Sequence, residues 1–131
     1  MRACGAIVAA SLVAVGVSAC TSGDARDAAA EVAQAFVSGV LHKHGGQACR
    51  MLTADARSSV VGATDSSCSQ VILGIEESGT AVRGTQVWGD AAQVRIGTDV
   101  VFLRDVDGQW RVSGAGCTRQ PAGPYDCEAG G

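Results

Sequence analysis

From Asp24 onward apolar residues recur at three- and four-residue intervals: Ala25, Ala28, Ala29, Val32, Phe36, Val40 and Leu41. Asp27, Glu31 and Gln34 fall elsewhere on the wheel, so the spacing predicts one amphipathic helix over 24–44. Asp24 or Ser22 can cap it, and the early acids suit the positive end of its dipole. Gly45-Gly46 stops it, with His42, Lys43 and His44 set to meet the last carbonyls. A short helix is expected over 47–52, and a third one capped by Thr53 runs through Ala54, Ala56, Val60 and Val61. A fourth, less marked, spans 66–73. At Thr80 the period changes. Val82, Gly84, Gln86 and Trp88 alternate with Ala81, Arg83, Thr85 and Val87 as in a strand, and Gly89-Asp90 turns the chain. Ala92, Val94 and Ile96 then alternate with Gln93 and Arg95; Val100 to Leu103 is apolar on both faces; Asp105 to Gly108 is a turn; Trp110 and Val112 begin a last strand toward Cys117. Helices first and an antiparallel meander afterwards is an α+β plan.

The first twenty residues do not belong to that plan. They carry one positive charge, Arg2, and then an uncharged, mostly apolar run, the pattern of an export signal. Val17-Ser18-Ala19-Cys20 is similar to the bacterial lipobox, in which small residues admit the peptidase and the thiol takes a diacylglyceryl group before cleavage. That likeness makes Cys20 the lipid attachment site and mature N-terminus. The competing reading is an uncleaved membrane helix over 3–19, short for a span and rich in Ala, Gly and Ser. The organisation that follows is a cleaved signal peptide over 1–19, a lipid-anchored tether over 20–24, a domain over 25–127 and a flexible tail over 128–131. The domain then rides close to the outer, extracytoplasmic face of the cell membrane.

Composition narrows the class further. Of the 131 residues 47% are apolar and 18% charged, the balance of a folded domain rather than a disordered chain. Losing Arg2 with the leader makes the formal charge of -3 one unit more negative, and the arginines stand singly. Phosphate binding needs a clustered basic face, so no nucleic-acid partner is implied.

With Cys20 acylated, Cys49, Cys68, Cys117 and Cys127 remain, an even number suited to an oxidising compartment, and four cysteines allow three pairings. The local pairings Cys49 with Cys68 and Cys117 with Cys127 are favoured: each closes a short loop, the second pinning the C-terminal tail. A zinc site and a redox-active disulfide both lack the Cys-x-x-Cys pair they ordinarily use, so no metal and no cofactor is expected.

The remaining polar residues offer little chemistry. His42 and His44 sit at a helix end, where His is ordinarily a cap. Glu76-Glu77 are adjacent, so their side chains diverge, and a solvated loop is expected there. Ser58-Ser59 and Ser66-Ser67 lack the Gly-x-Ser-x-Gly setting of a nucleophile. Trp88 and Trp110 are read as core, with the lining of a ligand pocket as the alternative.

The order of helix, short helices and hairpin-rich sheet resembles the NTF2-like (cystatin-like α+β) superfamily, in which a curved sheet wraps a long N-terminal helix into a cone. Gln47-Ala48-Cys49-Arg50-Met51-Leu52-Thr53, Asp107-Gly108-Gln109-Trp110-Arg111-Val112, Gly116-Cys117 and Tyr125-Asp126-Cys127 resemble stretches of actinobacterial lipoproteins. Those motifs are cysteines, a turn and buried apolar positions, and they carry no activity with them. Enzymes of the superfamily place Asp, His or Tyr inside the cone as acids and bases. Here the strands before Asp90 supply none, leaving Asp99, Asp105 and His42 as candidates for a cone mouth and no residue assigned as catalytic. The expected function is therefore a membrane-anchored, non-catalytic module that binds a small molecule or a protein; an NTF2-like enzyme acting on a small molecule and a structural envelope protein are the alternatives.

Overall fold

The structure, a computed structural model, describes residues 21–62 and 66–130. The expected signal peptide over 1–19 and Cys20, the expected lipid site, lie outside the described residues. Helix α1 (Thr21–Leu41) is followed by α2 (Gly45–Arg50), α3 (Ala54–Val61), α4 (Cys68–Val71) and a single 3-10 turn over Ile72–Gly74. Five strands complete the chain: β1 (Val82–Trp88), β2 (Ala91–Ile96), β3 (Asp99–Val106), β4 (Gln109–Thr118) and β5 (Asp126–Gly130). They form one open antiparallel sheet in chain order. An N-terminal helix with a five-stranded meander is an α+β architecture.

The sheet buries one face. Ala92, Val94 and Ile96 of β2 pair with Leu103, Val101 and Asp99 of β3, and the side-chain period of two puts all of them on the side of α1. There they meet Ala29, Ala33, Phe36, Val37 and Val40 of α1, all buried. These α1 residues are small apart from Phe36, so the helix lies close to the sheet and Phe36 fills the space between them. The other face carries Gln86, Trp88, Ala91, Gln93, Phe102 and Arg104, with no helix laid over its centre.

The connections follow from local chemistry. The Thr53 hydroxyl accepts the Ala56 N–H at 3.1 Å and starts α3, the cap its position suggests. The β3–β4 turn is closed by Asp107, in the left-handed region at φ 53, followed by Gly108 at φ 82. Its neighbour Asp105 accepts the Gly108 N–H at 2.8 Å. Both disulfides join the favoured partners, Cys49–Cys68 tying α2 to α4 and Cys117–Cys127 crossing β4 to β5.

The structure departs from the sequence reading in four places. Among the described residues helix α1 already runs at Thr21, before the expected start at Asp24, and it ends at Leu41 rather than His44. Residues Glu128 to Gly130 are not tail but the end of β5, held by the Gly114↔Gly130 pairing and by Gly130 N–H donating to Ser59 Oγ at 2.7 Å. Trp88 is not core: it sits opposite Ala91 on the outer face and is 56% exposed, because its neighbour Val87 takes the inward position opposite Ala92. Trp110 does pack against the core. Finally, Glu77 does not stand in solvent, as described next.

Candidate functional site

Two recesses stand out, and they differ in chemistry. The first is a cleft of about 570 Å³ between the end of α1, the segment after the 3-10 turn and the β2–β3 turn. Leu41 and Lys43 line one wall, Glu77 and Ser78 the second, Thr98 and Asp99 the third. Asp99 anchors this arrangement: its Oδ2 accepts Ser78 N–H at 2.8 Å and Ser78 O–H at 2.6 Å, while Ser78 Oγ accepts Thr98 N–H at 2.8 Å. The β2–β3 turn is thereby fastened to the strand-like segment before β1.

Glu77 lies behind this clasp. Adjacent residues on an extended segment point apart, so Glu76 stands in solvent while Glu77 turns inward. Both of its carboxyl oxygens are shut off from solvent and without a hydrogen-bond partner among the described residues. Burial, together with the negative charges of Asp99 and Glu128, pushes its pKa from 4.5 up to about 7. Glu77 was missed in the sequence because a Glu-Glu pair in a Gly-containing segment reads as solvated. The signal that could have found it is Ile75, buried and two residues earlier on the same side of the chain.

The raised value makes a stability statement. Between its ordinary 4.5 and about 7, the folded chain holds a proton on Glu77 that the unfolded chain releases, so stability falls as pH rises through this window and is level above it. Glu77→Gln should match the parent near about pH 4 and exceed it near about pH 8 by on the order of 2 kcal/mol, a figure reduced for the partial exposure of the residue. Urea unfolding at the two pH values checks this. Parallel curves for parent and variant would mean that Glu77 titrates as an ordinary surface carboxyl.

The second recess is a groove of about 880 Å³ between the start of α3 and the outer face of the sheet. Trp88, Phe102 and Tyr125 supply its apolar surface, with Val106 and Pro124 at its margins and Asp55 on the α3 side. Phe102 and Tyr125 meet edge to face, ring centroids 5.3 Å apart. Arg119 covers the far side of Tyr125, its guanidinium 5.6 Å from the ring centroid and its Nε donating to the phenol oxygen at 3.3 Å. The Cys117–Cys127 bridge holds the segment bearing Tyr125 against β4, and Gly114 leaves room there, since a Cβ would press on Cys127 Sγ and the Phe102 ring. This groove is built from side chains that converge on it out of α3, β1, β3 and the β4–β5 connection.

The residues expected near a cone mouth do not come together. Asp99 lines the polar cleft. Asp105 is spent on its own turn, and the His42 ring bonds back to Ser38 at the end of α1. Among the described residues no group of three His, Cys, Asp or Glu side chains is placed to hold a metal ion, and no helix is long and apolar enough to cross a membrane.

The chain matches no protein-family model, no curated protein and no solved structure. The site therefore has to be read from its own geometry. The two disulfides are consistent with a domain that folds in an oxidising, extracytoplasmic compartment.

Proposed function

We propose that this chain is an extracytoplasmic lipoprotein, anchored through a diacylglyceryl group on Cys20, whose domain is a non-catalytic binding module of NTF2-like type with the aromatic groove as its recess. The observation that carries the binding reading is the groove itself: about 880 Å³, with Trp88, Phe102 and Tyr125 on one side and the start of α3 on the other. Concave, mostly apolar surfaces with few polar groups are where proteins hold small ligands. The groove's charged neighbours point the same way. Arg104 is engaged by Asp90 at 3.2 Å, and among the described residues Asp55 is the one carboxylate lining the recess.

An enzyme is the second reading, favoured by Glu77 and Asp99 on one cleft with Glu77 near 7, the range of a general acid. The binding reading leads because the Asp99 carboxylate is held by the Ser78 N–H and O–H, which ties it to the β2–β3 turn.

Two measurements test the proposal. The intact mass of protein extracted from membranes should begin at Cys20 with the lipid adduct; a mature chain with an unmodified Cys20 contradicts the anchor. Titration with 1-anilinonaphthalene-8-sulfonate should show saturable binding that is lost in Phe102→Asp, a residue half-buried on the outer face. Equal binding by parent and variant contradicts the groove.

A further inference from the structure

We propose that strand β1 is an interface for a second copy of this chain, joining two sheets edge to edge about a twofold axis at Gln86. The sheet runs β1-β2-β3-β4-β5, so β1 and β5 are its edges. They are finished differently. The β5 edge is covered by α3, whose Ser59 Oγ accepts the Gly130 N–H at 2.7 Å. Among the described residues nothing bonds to the outward-facing backbone groups of β1.

Which groups these are follows from the ladder. The Asp105 N–H donates to the Asp90 carbonyl at 2.7 Å, so Asp90 and every second residue after it, Ala92, Val94 and Ile96, bond to β3. Ala91, Gln93 and Arg95 are left to bond to β1, where they face Trp88, Gln86 and Gly84. Thr85 and Val87 therefore point their backbone N–H and C=O groups away from the sheet. The register of a partner is set at both ends of the strand. A bulge between Val82 and Gly84 breaks the regular pairing on one side, and the Gly89-Asp90 turn ends it on the other. The regular stretch is thus 84–88, centred on Gln86, and it carries no charge to repel a copy of itself. A twofold axis at Gln86 lays Thr85 against Val87 of the second copy, and Val87 against its Thr85, so each outward donor meets an outward acceptor.

The side chains fit the same register. Trp88, 56% exposed on the outer face, comes opposite Gly84 of the second copy. Gly84 has no side chain to meet it, and the Arg95 guanidinium lies across the gap: a Cβ at Gly84 would stand 2.7 Å from Arg95 Nη2. The indole of one copy thus settles over the glycine of the other beside a cation that its π face attracts. At the centre Gln86 meets its own symmetry mate, and an amide both donates and accepts. A foreign strand would satisfy the backbone equally well, but the match of Trp88 to Gly84 and Arg95 is offered by a second copy.

The test is disulfide trapping with the full-length protein. In a non-hydrogen-bonded antiparallel pair the Cα atoms stand about 4.5 Å apart, within reach of a disulfide. Under mild oxidation Gln86→Cys should give a covalent dimer linked through residue 86, formed at least about tenfold faster than that of Gln109→Cys, an exposed position at the start of β4. Adding Thr85→Pro should bring the rate down to that of Gln109→Cys with an unchanged circular dichroism spectrum, because proline removes an N–H that faces the partner and none that bonds to β2. Equal trapping of Gln86→Cys and Gln109→Cys, or trapping that survives Thr85→Pro, would overturn the interface. Unfolding by Thr85→Pro alone would place that N–H within the β1–β2 ladder and overturn the edge assignment with it.

Discussion

Phe36→Ala should destabilise the domain by about 3–5 kcal/mol, the largest effect expected of a single substitution here. Phe36 is fully buried and is the largest of the fully buried side chains among the described residues. The neighbouring core positions of α1 are Ala29, Ala33, Val37 and Val40, too small to move into the vacated volume. The opposing wall is a paired sheet, Val94 with Val101 and Ala92 with Leu103, which cannot collapse inward without breaking its ladder. Chemical unfolding followed by circular dichroism measures the loss. A cost below about 1 kcal/mol would mean that the helix does not pack on the sheet as described.

Removing the Cys49–Cys68 bridge comes second. With a sequence separation of 19, loop closure in the unfolded chain accounts for about 3 kcal/mol. The bridge is also the covalent tie between α2 and α4, and both cysteines are buried. At the same contact Gly45 packs so closely that a Cβ would overlap the Ser69 carbonyl, so the two helices have no slack to take up. The double variant Cys49→Ala, Cys68→Ala should therefore lose about 3 kcal/mol in urea unfolding. Graded reduction under native conditions provides an independent check. Cys117 and Cys127 are half-buried, so dithiothreitol should open that pair first, and alkylation with peptide mapping should show Cys49–Cys68 still closed. The reverse order, or an unchanged unfolding midpoint in the double variant, would contradict this account of the helical layer.

Much of this fold is legible in the sequence because its signals are local. The helical stripe from Ala25 to Leu41, the Thr53 cap and the Gly89-Asp90 and Asp107-Gly108 turns each declare themselves within a few residues, and the favoured cysteine pairs are the local ones. What escaped depends on partners far along the chain. Strand β5 reads Asp-Cys-Glu-Ala-Gly, without the alternation of a half-buried strand; its pairing with β4 and the Ser59 contact make it one. The face of Trp88 was undetermined because β1 has apolar residues at both Val87 and Trp88, and only the register with β2 sends Val87 inward. The groove was legible only as the alternative reading of the tryptophans, since Tyr125 reaches Phe102 through a turn and a disulfide that no sequence period describes. Glu77 is similar: its raised pKa comes from burial and from the charges of Asp99 and Glu128, which β3 and β5 bring to it from far along the chain.

The most direct test of the central claim, that the aromatic groove is a binding recess, is native mass spectrometry of the full-length protein purified from the cells that produce it, with Phe102→Asp purified in parallel. The account predicts a lipid-modified chain carrying a further, non-covalent apolar adduct that leaves on collisional activation and is missing from the variant. A lipid-modified parent chain free of any adduct, or an adduct retained equally by Phe102→Asp, would contradict it.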